Sequence, residues 1–395
     1  MTINELIYYL QSANINFILG SGASRPYLSV LGNIEELLTE LNKDDTTNSD
    51  DKIIIESSIY RYFFENVIKP NAFPDKANAY FKTAHDNYVR FLTVWNDLLS
   101  KRQSRILNKQ INVFTTNYDL LIEEAASSMS IELNDGFKGS FKSFFDETNF
   151  MRSVVHTSLH FHHTSEIPVF NLLKIHGSVN WKQNEEKIIN DNSWFLDIET
   201  FLSKIPDDEL ISLLDGSRKK TYSELVAEAD KVFSVGLDLQ KDFIDHYKEL
   251  VIVNPTKRKF SETVIDDHFY ELMRMYSNAL EKENSILFAI GFSFADEHIA
   301  KITKRAADSN PTLKIVVFAY KDDEEDTFKH RLDIEHNCIN NNILILTPEK
   351  FVNSNCEDDR ARDLWRMVKT NNSFDLCTIN QVFEHINSRM HSSYE

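Results

Sequence analysis

The chain has 395 residues, of which 42% are hydrophobic and 26% are charged, and its formal net charge is -18 at pH 7. This composition can bury a core without disulfides or metal ions. The charge repels a phosphate backbone and excludes a broad nucleic-acid-binding face, so a phosphate group must be held locally by backbone NH groups and a few cations. Three cysteines without a Cys-x-x-Cys pair, and the lack of a membrane-length apolar run or an export signal, favour a cytoplasmic protein with reduced thiols.

Short apolar runs at wide intervals predict the fold class. A helical pattern over residues 3–13 leads into a strand-like run at residues 15–19. Six further runs of the same kind follow at residues 113–115, 172–175, 250–253, 286–290, 313–319 and 343–346. Because the intervals leave room for crossover helices, we predict an α/β fold built on a parallel sheet.

Long stretches between these runs are predicted to be helical insertions, near residues 43–109, 127–167 and 184–248. No Gly/Ser-rich or Pro-rich linker divides the chain, so we expect one elaborated domain over residues 1–347. A helical segment is predicted for residues 348–395, and its apolar side chains suffice to dock on the core or on another subunit.

The first predicted strand is followed by Gly20-Ser21-Gly22-Ala23-Ser24-Arg25. Two glycines let the backbone turn tightly and approach a pyrophosphate closely. The Ser24 hydroxyl and the Arg25 guanidinium are groups that bind phosphate or ribose. A tight turn followed by a surface arginine explains the same residues equally well.

The second predicted strand runs into Thr115-Thr116-Asn117-Tyr118-Asp119. In an open α/β sheet, ligands bind at the carboxyl ends of the strands. Uncharged polar groups and one carboxylate at that position suit ribose hydroxyls and a carboxamide. The alternative is that Asp119 caps a helix over residues 120–128.

The third predicted strand delivers His176-Gly177-Ser178 to the same edge of the sheet. A histidine there can act as a general base near neutral pH, although a single histidine after a strand is more often structural. Its position beside the other two motifs favours the catalytic interpretation.

Four histidines lie close together in the sequence, at His156, His160, His162 and His163. Imidazoles can bind zinc or copper. This stretch has no neighbouring cysteine and no helical His-Glu-x-x-His pattern, so we predict a polar loop and no metal site.

The ordered motifs resemble those of the sirtuin-like NAD-consuming enzymes, in particular their bacterial antiphage-defence branch. Residues 20–24 resemble the family's phosphate loop, residues 115–119 its threonine-x-asparagine-x-aspartate motif, and residues 174–178 its catalytic histidine segment. Ile290-Gly291-Phe292-Ser293 resembles the later ribose contact. Residues 254–257 and 294–299 are similar to stretches common in the defence branch. The resemblance implies a Rossmann-like parallel sheet.

Two departures separate the chain from protein-deacylating sirtuins. Those enzymes hold zinc with paired cysteines, which this sequence lacks, so the resemblance implies no zinc module. Residues 26–32 also differ from the segment that follows the phosphate loop in deacylases. Hydrolysis of NAD by water is therefore expected in preference to deacylation of lysine.

The resemblance also implies roles and partners. Asn117 would order the ribose and water, His176 would accept a proton, and Asp119 would support the pocket. Gly20 to Arg25, Thr115, Gly291 and Ser293 would contact NAD, which is the substrate. The implied protein is an NAD+ glycohydrolase that acts in abortive infection, as a homo-oligomer with a HerA-type hexameric ATPase. A catalytically silent NAD or ADP-ribose sensor is the alternative, and a protein deacylase is a more distant one.

Overall fold

The computed structural model describes residues 1–27, 34–102, 107–139, 141–160, 163–232, 236–252, 263–334 and 339–392. Its strands in chain order are β1 (Asn14–Leu19), β2 (Gln110–Thr115), β3 (Leu133–Asn134), β4 (Phe137–Lys138), β5 (Phe144–Phe145), β6 (Val155–Thr157), β7 (Thr164–Glu166), β8 (Val169–Lys174), β9 (Gly177–Asn184), β10 (Lys187–Asn190), β11 (Leu214–Asp215), β12 (Arg218–Lys219), β13 (Leu250–Ile252), β14 (Ser285–Ile290), β15 (Lys314–Phe318) and β16 (Ile343–Leu346).

The helices of the same residues are α1 (Ile3–Ser12), α2 (Ile34–Lys43), α3 (Ser49–Phe63), α4 (Lys69–Ala72), α5 (Ala79–Ser100), α6 (Leu121–Met129), α7 (Trp194–Leu202), α8 (Tyr222–Ala229), α9 (Asp238–Lys248), α10 (Thr263–Glu281), α11 (Glu297–Ser309), α12 (Glu325–Arg331), α13 (Pro348–Asn355), α14 (Arg362–Asn371) and α15 (Leu376–Ser392). A π-helical turn, Phe64–Ile68, joins α3 to α4. None of the helices described is long and apolar enough to cross a membrane.

Seven strands form a parallel sheet in the order β16-β15-β14-β1-β2-β8-β3. The central strand β1 packs against apolar side chains on both faces. Phe17 and Leu19 pack into one buried cluster with helices α1, α5 and α15, whereas Ile18 packs into a second cluster with α10 and α11. Helices on both faces bury the central strands of the sheet, which explains why these strands are nearly continuous apolar runs. The predicted α/β fold with a parallel sheet is confirmed.

One predicted strand belongs to a different sheet. The run at residues 250–253 forms β13, which pairs antiparallel with β9 in a five-stranded sheet ordered β13-β9-β10-β5-β4. Leu250 and Ile252 pack in a third cluster with side chains of α7 and α9. A run of three apolar residues suits either sheet, and its pairing depends on distant residues. Val253 lies outside the described residues.

The predicted helical insertion at residues 127–167 is wrong in its secondary structure. Beyond the end of α6, this stretch forms the short strands β3 to β7 and one 3-10 turn. Gly136 and Gly139 have positive φ angles of 86° and 122°, which interrupt a helix. Phe137 and Phe145 pack instead against Trp181 of β9. The stretch near residues 43–109 is mainly helical, whereas the stretch near residues 184–248 combines helices α7, α8 and α9 with the short strands β10, β11 and β12.

The C-terminal helices lie on the core of their own chain. Phe383 of α15 stacks near Trp95 and Phe288, with ring centroids 4.6 Å and 5.4 Å away. The Arg90 guanidinium donates to both carboxylate oxygens of Glu384, at 3.0 Å and 2.7 Å. The segment predicted from residue 348 onward therefore completes the layer that covers one face of the sheet.

The histidine-rich stretch forms an exposed hairpin of β6 and β7. His156 lies in β6, His163 comes directly before β7, His160 comes after β6, and His162 lies outside the described residues. In the part of the chain that the structure describes, no group of three or more His, Cys, Asp or Glu side chains could hold a metal ion.

Candidate active site

The loop after β1 packs directly on the loop after β14. The Gly22 NH donates to the Gly291 carbonyl at 2.9 Å. A Cβ atom on Gly20 would lie 2.5 Å from the Gly291 oxygen, and one on Gly22 would lie 2.8 Å from the Gly291 Cα. Gly291 has a φ of 60°, and its Cβ would lie 2.2 Å from the Ala23 nitrogen. All three glycines are therefore required by backbone-to-backbone contact, independently of any bound phosphate.

Ser24 is the centre of a buried hydrogen-bond network at this contact. Its hydroxyl donates to Asp119 Oδ2 at 3.0 Å and lies 2.9 Å from the Tyr88 hydroxyl. Asn117 Nδ2 donates to the same Ser24 oxygen at 3.1 Å. Tyr88 comes from α5, within an insertion, and is not among the predicted site residues. Its apolar neighbours on the helix make it look like an ordinary core tyrosine.

The Asn117 amide is held in one orientation. Its Nδ2 donates to the Gly20 carbonyl as well as to Ser24, both at 3.1 Å. Its backbone NH donates to Thr115 Oγ1 at 3.0 Å, and that hydroxyl donates to the Leu19 carbonyl. Because both Nδ2 hydrogens are engaged, Oδ1 is the side-chain atom left to accept a hydrogen bond from a ribose hydroxyl or a water molecule.

Asp119 holds the loop after β2 in place through both of its carboxylate oxygens. Its Oδ1 accepts the Leu121 NH at 3.1 Å, while its Oδ2 accepts from Ser24. Helix α6 begins at Leu121, and its N-cap residue Leu120 gives no side-chain cap. Burial raises the pKa of the Asp119 carboxyl, and the Lys174 ammonium opposes that shift. Asp119 thus combines the predicted supporting role with part of the alternative capping role.

Lys174, at the end of β8, ties the loop to α6. Its side chain is 3% exposed and forms an ion pair with Glu123 at 2.6 Å. The same ammonium donates to the Asp119 carbonyl and to Ser178 Oγ. Burial raises the pKa of the Glu123 carboxyl. A lysine inside an apolar run is the sequence signal that could have identified this residue.

His176, in the loop after β8, pairs with a carboxylate in the loop after β14. Its Nε2 lies 3.2 Å from Asp296 Oδ2, and the two side chains are 16% and 11% exposed. Asp296 Oδ1 caps α11 by accepting the NH groups of His298 and Ile299, at 2.9 Å and 3.3 Å. The helix end therefore fixes the carboxylate that orients the imidazole. Asp296 lies within residues 294–299, which resemble a stretch of the defence branch, but it is not among the predicted site residues.

The remaining predicted contacts lie near the same edge. Ser21, Arg25 and Ser293 are exposed, and the Ser293 carbonyl accepts from Arg331 at 2.7 Å. Residues 254–257, which the sequence analysis also singled out, lie outside the described residues, as do residues 28–33 after the glycine loop. Contacts thus connect the loops after β1, β2, β8 and β14.

Comparison with known proteins gives a family match for part of this site. Residues 111–246, about a third of the chain, match the family described as SIR2-like domain. Over these residues the chain is similar to that family. The match contains Asn117, Asp119 and His176, whereas Gly20 to Arg25 and Gly291 to Ser293 lie outside it. It supports a function related to NAD.

One solved structure, of Sir2 with a deacetylated p53 peptide and 3'-O-acetyl ADP-ribose, aligns with 85% of this chain and 99% of its own, at 14% identity and a TM-score of 0.30. None of the curated proteins compared matches the chain.

Proposed function

We propose that the protein is an NAD+ glycohydrolase that cleaves the nicotinamide-ribose bond. The observation that carries the proposal is the His176–Asp296 pair, which places an oriented imidazole on the loop edge where Asn117 presents a free amide oxygen. A carboxylate that fixes one imidazole nitrogen leaves the other available as a general base.

The proposed reaction uses the chain's own groups in distinct roles. The Ser21 NH and the exposed Arg25 guanidinium would face the pyrophosphate, because the NH groups of Gly20, Gly22 and Ala23 already donate to backbone carbonyls. Asn117 Oδ1 would accept from a ribose hydroxyl or from the attacking water. With Nε2–H donated to Asp296, His176 Nδ1 would take the proton of that water as its oxygen attacks C1'. The C1'–N bond breaks, and its electron pair leaves with nicotinamide.

The test is release of nicotinamide and ADP-ribose from NAD, measured by chromatography. Asn117→Ala and His176→Ala are each expected to lose about 10² to 10⁴ in rate, the usual contribution of a positioned general base or orienting group. His156→Ala, on the exposed hairpin, is the matched histidine control and should keep the wild-type rate. If wild-type protein binds NAD in calorimetry without forming products, the sensor alternative replaces the hydrolase.

Protein deacylation has less support. The described residues contain no metal-binding cluster, and the sequence has no cysteine pairs to hold a zinc module. An acetylated peptide added to the same assay distinguishes the two reactions, because a deacylase would consume NAD only when the peptide is present.

We also propose the biological setting that the motifs suggest, an effector of abortive infection in the cytoplasm that works as a homo-oligomer with a HerA-type hexameric ATPase. Large apolar side chains concentrated at residues 141–159 support an assembly surface, since Phe141 and Leu159 are 98% and 96% exposed. Light scattering of the purified chain, alone and mixed with an ATPase encoded beside it, tests the assembly. Phage challenge of cells carrying wild type or His176→Ala tests the role.

A further inference from the structure

One asparagine lies inside each of the strands β1, β2 and β8, at Asn16, Asn112 and Asn171. Between the first and last residues of each strand, this asparagine is the only polar residue. The register of the parallel sheet places Asn112 directly beside both Asn16 and Asn171. These strands are the three whose following loops carry the glycine pair, Asn117 and His176. The asparagines therefore mark the strands that support the candidate active site.

The side-chain amides of these strands form one continuous chain of hydrogen bonds. Asn171 Nδ2 donates to Asn112 Oδ1 at 3.0 Å, and Asn112 Nδ2 donates to Asn16 Oδ1 at 2.9 Å. Asn134 of β3 lies beside Asn171 in the sheet, donates to Asn171 Oδ1 at 3.1 Å and accepts from Asn149 Nδ2 at 2.9 Å. At the other end, Asn16 Nδ2 donates to a backbone carbonyl of β14 at 3.4 Å. These five side chains, which all donate in the same direction, form the asparagine ladder.

Most of the asparagine ladder is buried. Asn16, Asn171 and Asn149 are 1%, 2% and 8% exposed. A buried amide group that loses its hydrogen-bond partner destabilises a fold, because water cannot replace that partner. Within the ladder, Asn112, Asn134 and Asn171 each donate to one neighbour and accept from another. Each of these amides is therefore satisfied only while the strands keep their present register.

The apolar residues of these strands specify the register only weakly. A strand that is buried on both faces has no alternation of polar and apolar residues to mark its position. A slip of two residues between β2 and β8 keeps every side chain on its own face of the sheet, but it places Asn112 beside Val169 or Leu173 instead of Asn171. The apolar side chains stay buried after such a slip, whereas the two amides lose each other. The asparagines are therefore the residues that penalise it.

We propose that the asparagine ladder fixes the relative register of β1, β2 and β8, and through it the relative positions of the loops that form the candidate active site. A slip of two residues would move the loop with Asn117 about 6.6 Å along the strands relative to the loop with His176. Buried polar residues fix the register of packed helices by the same penalty on unpaired groups. The proposal concerns the fold and does not rest on the NAD reaction.

Urea unfolding of the full chain tests whether the amides act as one chain, with leucine as a replacement of similar shape. Asn171→Leu leaves the Asn112 oxygen and the Asn134 amino group without partners, and Asn112→Leu likewise leaves one group on each of its neighbours. The double variant also leaves only two such groups, on Asn16 and Asn134. All three variants should therefore lower the urea midpoint by about the same amount, roughly 0.5 to 1.5 M. A double variant whose shift equals the sum of the two single shifts would overturn the proposal.

Methyl NMR tests the register itself in the variant that carries leucine at Asn16, Asn112 and Asn171 together. We expect this variant to show doubled signals for the isoleucine methyl groups of β1 and β2, where the wild type shows one signal each. Asn342→Leu is the control, because Asn342 is 6% exposed and donates to two backbone carbonyls outside the ladder. It should lower the urea midpoint and keep single signals. A folded triple variant with single signals at the wild-type positions refutes the register role, and if the triple variant does not fold, the single and double variants decide.

Discussion

Asp296 carries two tasks on its two carboxylate oxygens, and the substitution Asp296→Asn separates them. Oδ1 caps α11, and Oδ2 contacts His176. Asparagine caps helices as well as aspartate does, so its carbonyl oxygen should stay on the cap. Its NH2 group then faces His176 Nε2. His176 Nε2 must then accept a hydrogen bond from this NH2 group, so the imidazole carries its proton on Nδ1. A protonated Nδ1 cannot act as the proposed base.

The expected magnitudes follow from that geometry. The cap survives, so only the charge at the helix N-terminus is lost, and the free energy of unfolding should fall by less than about 1 kcal/mol. A wrong tautomer removes general-base catalysis, so NAD hydrolysis should fall about 10² to 10⁴-fold. Asp296→Ala should lose both functions, with a further destabilisation of about 0.5 to 2 kcal/mol.

Urea unfolding and nicotinamide release, measured on the same preparations, check this prediction. Asn48→Ala is the matched control, because Asn48 Oδ1 caps α3 by accepting the NH groups of Asp50 and Asp51 at 2.8 Å and 2.9 Å. It should lose stability like Asp296→Ala and keep its rate. An Asp296→Asn enzyme with the full wild-type rate would refute the assignment of His176 Nδ1 as the base.

Three further predictions concern stability, measured by urea unfolding. Ser24→Ala should lower the free energy of unfolding by roughly 2 to 4 kcal/mol, because a buried tyrosine hydroxyl and a buried carboxylate oxygen each lose one hydrogen bond. Gly291→Ala should cost more than Gly216→Ala, since both have φ near 60° but only the Cβ at Gly291 meets backbone; equal losses would contradict the packing argument. A hydrogen bond from His268 lowers the pKa of Glu147 below its ordinary 4.5. Glu147→Gln should therefore lower the free energy of unfolding by under about 1 kcal/mol at pH 7. This difference from wild type should shrink as the pH falls below 4.5.

The sequence was sufficient to predict the parallel sheet because strands that are buried on both faces consist almost entirely of apolar residues. Residues 15–19 and 286–290 are almost entirely apolar, and they form the adjacent strands β1 and β14. Residues 250–252 are apolar in the same way, but they pair with β9 in a different sheet. Pairing partners are set by contacts far along the chain, which a local apolar run does not encode.

The same distinction applies to the candidate site. Asn117 and His176 were found because polar residues directly after apolar strands are uncommon and meet at one sheet edge. Tyr88 contacts Ser24, and Asp296 contacts His176, only through tertiary packing, from a core helix and from the start of another helix. The local sequence around Tyr88 resembles an ordinary helix face, and that around Asp296 resembles an ordinary N-cap. Their residue types alone therefore do not identify them as site residues.

The packing of Gly20 and Gly22 on Gly291 means that these glycines do not by themselves indicate NAD binding. Gly20 and Gly22 were first interpreted as glycines that let a pyrophosphate approach, yet the Gly291 backbone already excludes a Cβ at both positions. The glycine pair would be required at this junction of β1 and β14 even in a protein that binds no nucleotide. The case for NAD chemistry therefore depends on groups that packing leaves unexplained, namely the oriented Asn117 amide and the His176 imidazole, whose carboxylate partner is held by a helix end.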